Sequence, residues 1–200
     1  MTRPIRHSIV YVAVYVAVYV ALSLMVSPAT WAALNGDGLD GDALAERLAA
    51  HAPQCGRFDQ SRWLADLDAQ LDSRGYFEQQ ANGLVWQTTS PVRDRVVMSE
   101  DNDELPMGFQ VVAPVLGGLL SGNWQRLESH FTIELSGALD DWQAKLTPSE
   151  VHIAERLSQL LVQGNQQVEH VELMFTNDDR LNLTLAAVDC ASLEEGDRSL

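Results

Sequence analysis

Apolar and polar residues alternate with a period of two over much of the second half of the chain, and only two or three segments read as helical. Together with the turn residues between the alternating runs, this predicts an α+β fold: an antiparallel sheet curled over a few short helices. Phe131, Ile133 and Leu135 alternate with Thr132 and Glu134, and Trp142, Ala144 and Leu146 with Gln143 and Lys145. Val171, Leu173 and Phe175 alternate with His170, Glu172 and Met174, and Leu181, Leu183 and Leu185 with Asn182 and Thr184. Asp140-Asp141 and Asn177-Asp178-Asp179 supply the turns between these pairs. At least seven strands of this kind are expected, each with one buried and one wet face.

The elements before them are set by composition as much as by period. Arg3 and Arg6 precede an uncharged stretch from Ile9 to Val26, and Ser27-Pro28-Ala29-Thr30-Trp31-Ala32 offers small residues for a signal peptidase. Residues 1–32 are therefore expected to be a signal peptide, cleaved after Ala32. The apolar stretch also reaches the lower limit for spanning a bilayer, which makes an uncleaved inner-membrane anchor the alternative. The expected organisation is a flexible leader over 33–42, one domain over 43–190 and a disordered tail over 191–200. In the leader, the acids from Asp37 to Asp42 do not keep calcium-loop spacing, because Leu39 falls where a ligand is needed. Asp42 is read as the cap of a helix over Ala43 to His51, with Leu44 and Leu48 as its apolar stripe and Pro53 beyond its end.

Pro114-Val115-Leu116-Gly117-Gly118-Leu119-Leu120 is apolar all round and too short to cross a membrane, so it reads as a helix buried against the sheet. A turn at Ser121-Gly122 and a second helical piece from Trp124 to Leu127 follow. Thr147-Pro148-Ser149-Glu150 has the pattern of a capping box with proline at the first helical position. Periodicity alone would carry that helix to Val162, with Gly164 as its stop.

The chain has 13 basic and 28 acidic residues; without Arg3 and Arg6 the net charge moves from −15 to −17. Such a polyanion repels phosphate backbones and anionic headgroups, so nucleic acid is excluded as a partner, and any lipid is expected to be held by its acyl chains. Cys55 and Cys190 form an even pair in an exported chain, which favours a disulfide between them over two buried thiols. Neither follows the signal in a lipidation context, so the chain is not expected to be a lipoprotein itself.

No catalytic constellation emerges: H-E-x-x-H, G-x-S-x-G and P-loop patterns are absent. Glu169 and His170 point to opposite faces of a strand, while His170 and Glu172 read as a solvated pair. His152, beside Glu155 and Arg156, reads as a surface residue. No metal and no cofactor are implied, and the chain is not expected to be an enzyme.

Phe58-Asp59-Gln60, Ser73-Arg74-Gly75-Tyr76-Phe77 and Gly83-Leu84-Val85-Trp86-Gln87-Thr88-Thr89-Ser90-Pro91, in this order after a secretory signal, resemble the opening strands of LolA-type periplasmic lipoprotein carriers. The likeness continues through the apolar helix with Trp124 behind it, Trp142 to Pro148, and the closing strands around Asn177-Asp178-Asp179. The resemblance implies an incomplete, LolA/LolB-like β-barrel covered by short helices. It also implies a short helix to about Glu155 and a strand over Leu157 to Val162, and this division is preferred to one long helix.

The function implied is a monomeric periplasmic carrier that shields the acyl chains of a lipoprotein or another lipid. It would take its cargo from an inner-membrane exporter or ABC transporter and pass it to an outer-membrane acceptor. Leu84, Trp86, Phe131, Ile133, Trp142 and Phe175 are the expected cavity walls, and each fits a closed core equally well. Val115, Leu116, Leu119 and Leu120 are the expected lid, since Gly117 and Gly118 weaken a permanent core helix. Two departures stand out. Gln80-Ala81 replaces the Arg-Pro pair that helps hold the lid in such carriers, and acidic Glu100-Asp101-Asn102-Asp103-Glu104 replaces an aromatic strand pair. The alternative is a periplasmic adaptor with a closed core that binds a protein partner through its acidic surface.

Overall fold

A computed structural model describes residues 39–98 and 109–197, all within one unit that spans 38–200. The expected signal segment, most of the expected leader and the acidic run Glu100–Glu104 lie outside the described residues. The elements are α1 (Gly41–Ala50), β1 (Cys55–Leu64), a 3-10 turn (Ala65–Leu67), β2 (Ala69–Gln80), β3 (Gly83–Ser90), β4 (Asp94–Met98), α2 (Phe109–Ser121) and α3 (Trp124–Glu128). They continue with β5 (Phe131–Ala138), β6 (Asp141–Pro148), α4 (Val151–Ala154), β7 (Leu157–Gly164), β8 (Val168–Phe175), β9 (Arg180–Ala187) and α5 (Cys190–Asp197).

The nine strands form one antiparallel sheet in the order β4-β3-β2-β1-β9-β8-β7-β6-β5. Its two halves meet where β1 pairs with β9, through Phe58–Leu185, Gln60–Leu183 and Arg62–Leu181. β4 and β5 are the terminal strands and do not pair with each other, so the sheet is curled but not closed. The alternation has its predicted result: Trp142, Ala144 and Leu146 on β6 and Leu181, Leu183 and Leu185 on β9 are buried on the inner face. These side chains join those of α1, α2 and α3 in one continuous apolar core. α2 touches β4 and α3 touches β5, so this helical corner runs from one free edge of the sheet to the other. Asp178, in the β8–β9 turn, has φ of 64°, a left-handed conformation that aspartate tolerates better than most residues.

Three local expectations are corrected. Asp40, not Asp42, caps α1: its Oδ1 accepts from the amides of Asp42 at 3.0 Å and Ala43 at 3.4 Å. The helix therefore starts at Gly41, and Asp42 becomes a first-turn acid favoured by the helix dipole. Second, the capping box at Thr147 does not form. Thr147 and Pro148 continue β6, paired with Thr132 and Phe131, and proline needs no ladder donor at a strand end. Glu150, which would have closed the box, instead holds His130 Nδ1 at 2.7 Å and His152 Nδ1 at 3.2 Å, and α4 is only four residues long. The strand at Leu157–Gly164 follows, as the resemblance implied. Third, the tail expected to be disordered from 191 forms α5 as far as Asp197, tethered at Cys190 by the disulfide to Cys55.

Candidate functional site

The opening motif folds into an aromatic stack on the inner face. Phe58 on β1 lies opposite Gly75 on β2, and its ring stacks on Trp86 of β3 with centroids 3.9 Å apart and planes at 16°. Phe77 lies parallel to the same indole at 6.1 Å. Glycine is required at 75: a Cβ there would overlap the Gln87 carbonyl oxygen and sit 2.7 Å from the Phe58 ring. The spacing of the motif is thus the spacing of three neighbouring strands whose side chains meet over one glycine.

Leu84, Trp86, Phe131 and Trp142, four of the expected walls, are buried in the continuous core, while Ile133 and Phe175 are partly buried at its border. Trp142 donates its indole N–H to the Asn165 carbonyl at 2.8 Å and meets Trp124 edge-on at 5.9 Å. The expected lid residues Val115, Leu116, Leu119 and Leu120 are all 3 % exposed or less. They pack into the same core, so walls and lid are closed upon each other.

α2, which carries the expected lid residues, is tied down at its C-terminal end. Gln79 Nε2 donates to the Leu120 carbonyl and to the Pro53 carbonyl, each at 3.0 Å. The amides of Asn123 and Gly122 bond the carbonyls of Gly118 at 2.9 Å and Leu119 at 3.3 Å. Gln79 was missed in the sequence. Its signal was there, since it shares the inner face of β2 with Gly75 and Phe77 and is a polar residue at an apolar register position. It stands immediately before Gln80-Ala81 and supplies a polar tie to α2 from this strand. The two glycines of α2 differ. A Cβ at Gly118 would press to 3.0 Å against Leu127, whereas one at Gly117 would meet nothing within 4 Å.

A groove of about 520 Å³ opens between α1, the α2–α3 corner and β5. Ile133, Leu135, Ala45 and Trp124 provide its apolar lining, and Asp42, Glu46 and Glu128 its charged one. Of the expected wall residues, Ile133 borders it. In the β8–β9 turn Asp179 is 5 % exposed. It accepts from the Ala65 amide at 2.9 Å and from Arg62 Nη2 at 3.2 Å, and the Arg62 guanidinium lies 5.8 Å from the Phe175 ring centroid. The Ala65 amide, with help from Arg62 and Asn177, outweighs burial and holds the Asp179 carboxyl below the usual carboxylate range. Among the described residues no group of three or more His, Cys, Asp or Glu side chains could hold a metal ion. His170 faces Thr184 Oγ1 at 3.4 Å, and Glu169 accepts from Asn165 at 2.6 Å.

Among solved structures, a LolA superfamily protein from Nitrosomonas europaea is similar, with a TM-score of 0.37 and 10 % sequence identity over 74 % of this chain and 94 % of that one. No curated protein matches the chain. The model of the family described as outer membrane lipoprotein carrier protein LolA-like matches residues 33–198. That match spans the leader, all nine strands and α5, and by it the chain belongs to the LolA-like family of outer membrane lipoprotein carrier proteins.

Proposed function

We propose that this protein is a periplasmic carrier, exported with a cleaved signal, that shields the acyl chains of a lipoprotein or another lipid and moves it between inner and outer membranes. The observation that carries the reading is the inner face of the open sheet. It carries core side chains from β4 to β5, with Gln60, Arg62 and Gln79 as polar members, and α2 packs into that core while being hydrogen-bonded to the sheet at its C-terminal end. Displacement of Val115, Leu116, Leu119 and Leu120 as one apolar face would uncover Trp86, Phe131 and Trp142 for an acyl chain. At about 25 cal/mol per Å² of buried apolar surface, such a chain binds usefully yet remains releasable. No group transfer is involved. An inner-membrane exporter or ABC transporter is the donor, and an outer-membrane protein the acceptor.

The closed packing of walls and lid also suits the second reading, an adaptor with a permanent core and an acidic docking surface. Displacement of a fluorescent fatty acid separates the two. Wild type should bind the probe, and Gln79→Ala, which releases the Leu120 carbonyl, should take it up faster while costing about 1–3 kcal/mol of stability. A wild-type protein that binds no lipid probe, and carries no lipid when purified from envelope extract, would give the adaptor reading its place.

A further inference from the structure

We propose that the outer face of β1, β2, β3 and β4 docks the protein on a membrane surface that carries anionic phospholipid headgroups. Pairing places Arg57 of β1, Tyr76 of β2, Gln87 of β3 and Arg95 of β4 in one row across four strands. Their chain neighbours Phe58, Phe77, Trp86 and Val96 are buried in the core, so the row faces outward. Arg74 lies in the next row, opposite Asp59, and Arg93 stands two residues before Arg95 in the turn that leads into β4. All four arginines are exposed. Asp59 is the one acid in these two rows. Asp94 lies opposite Thr88 on the other face, and Asp72 and Glu78 lie further along β2 on either side.

Among the described residues none of the four guanidinium groups makes a hydrogen bond or an ion pair, whereas Arg62 is paired with Asp179 and Lys145 with Glu134. Carboxylates are not scarce in a chain of net charge −15, so the arginines are held away from them by position. Their planar forks suit phosphate oxygens. Four strands spread them over about 14 Å, too wide for one phosphate and suited to a surface that presents many. A bilayer is such a surface. The negative charge of the whole chain does not prevent contact, because screening over about 8–10 Å leaves the charges nearest the surface to decide. A carrier exchanges cargo with membrane-borne partners, and weak docking of this face would bring it to them. The inference goes beyond the carrier reading and does not depend on it.

The test uses the exported protein in detergent-free buffer. It is sedimented with vesicles of phosphatidylcholine alone, or of phosphatidylcholine with about a third phosphatidylglycerol. The anionic vesicles should bind it and the neutral ones should not, with binding falling as salt is raised. Arg74→Gln with Arg95→Gln should weaken that binding at least about tenfold, with melting temperature and fatty-acid displacement unchanged. Arg156→Gln with Arg180→Gln removes the same charge from exposed positions just before β7 and at the start of β9, and should leave binding intact. If both pairs of substitutions weaken it equally, overall protein charge is responsible and the proposal is overturned. Equal binding to the two kinds of vesicle overturns it too, since apolar contact would then be responsible. Binding to neither also overturns it and leaves these arginines to an acidic protein partner. None of these outcomes touches the carrier reading, which the fatty-acid probe decides.

Discussion

Asp179 links two parts of the chain that are far apart in sequence, since its carboxylate takes the Ala65 amide after β1 and the Arg62 guanidinium within β1. Replacing it with alanine leaves a half-buried amide without its partner and should cost about 1–3 kcal/mol. The effect depends on pH in a defined direction. The folded carboxyl is held below its ordinary value, so its contribution is complete above the unfolded pKa of about 3.9 and is lost as pH falls through the lower folded value. Urea melts of wild type and Asp179→Asn should therefore differ at pH 6, with the gap beginning to narrow below about pH 4 and closing only below the folded value; a gap unchanged in strong acid would remove the carboxylate from the explanation. Gly75 offers a sharper steric test. Gly75→Ala drives a methyl into the Gln87 carbonyl and the Phe58 ring, and should lower stability by about 1–3 kcal/mol or more, with loss of near-UV aromatic dichroism from the Phe58–Trp86 stack. The sequence displayed both residues but not their roles. Gly75 stood out within a motif, whereas Asp179 read as the third residue of an acidic turn. Turn chemistry explains why an aspartate is tolerated there and says nothing about a partner more than a hundred residues away.

α2 combines strong burial with weak intrinsic helicity, because Gly117 and Gly118 lie in its interior. The two positions allow its motion to be tested without disturbing the core. A methyl at 117 enters open space, so Gly117→Ala should stabilise the helix by about 0.5–1 kcal/mol and raise the melting temperature by about 2–4 °C. Where acyl uptake requires α2 to bend at this glycine, the same substitution should slow fatty-acid exchange several-fold in stopped-flow mixing. Unchanged exchange in a more stable protein would mean that the helix moves as one rigid piece. A charged residue at Leu119 or Leu120 would be a poorer test, because both side chains are almost wholly buried and folding would suffer first. Short elements were the least legible. The Thr147–Glu150 pattern has every chemical mark of a helix start, yet the β5–β6 ladder claims Thr147 and Pro148 and leaves a four-residue helix. Strand pairing over eight residues outweighs one local capping preference.

Period two showed which face of each strand is buried but not which strands are neighbours. The hairpins β5–β6 and β8–β9 could be read from their turns, while the β1–β9 seam could not, because it joins residues more than a hundred positions apart. The cysteines were the one long-range signal in the sequence. Cys55 begins β1 at that seam and Cys190 begins α5 just beyond β9, so the disulfide spans 135 residues and fixes the strand that joins the two halves of the sheet. In the chain-entropy picture a loop of this length is worth about 5 kcal/mol, and removal of native disulfides typically costs about 2–5 kcal/mol. Cys55 is only 1 % exposed, and its carbonyl accepts from the Val188 amide at 3.0 Å, so the local backbone has support of its own. Cys55→Ser with Cys190→Ser should therefore keep the strand content seen by far-UV dichroism at low temperature, while lowering stability by about 2–5 kcal/mol in urea. α5, which the bond tethers, should then become the first segment to exchange its amide protons. The wild-type protein, unfolded without reductant, should show no thiol that reacts with a labelling reagent. Two reactive thiols per chain would mean that the bridge does not form, and a double variant as stable as wild type would mean that the seam holds without it.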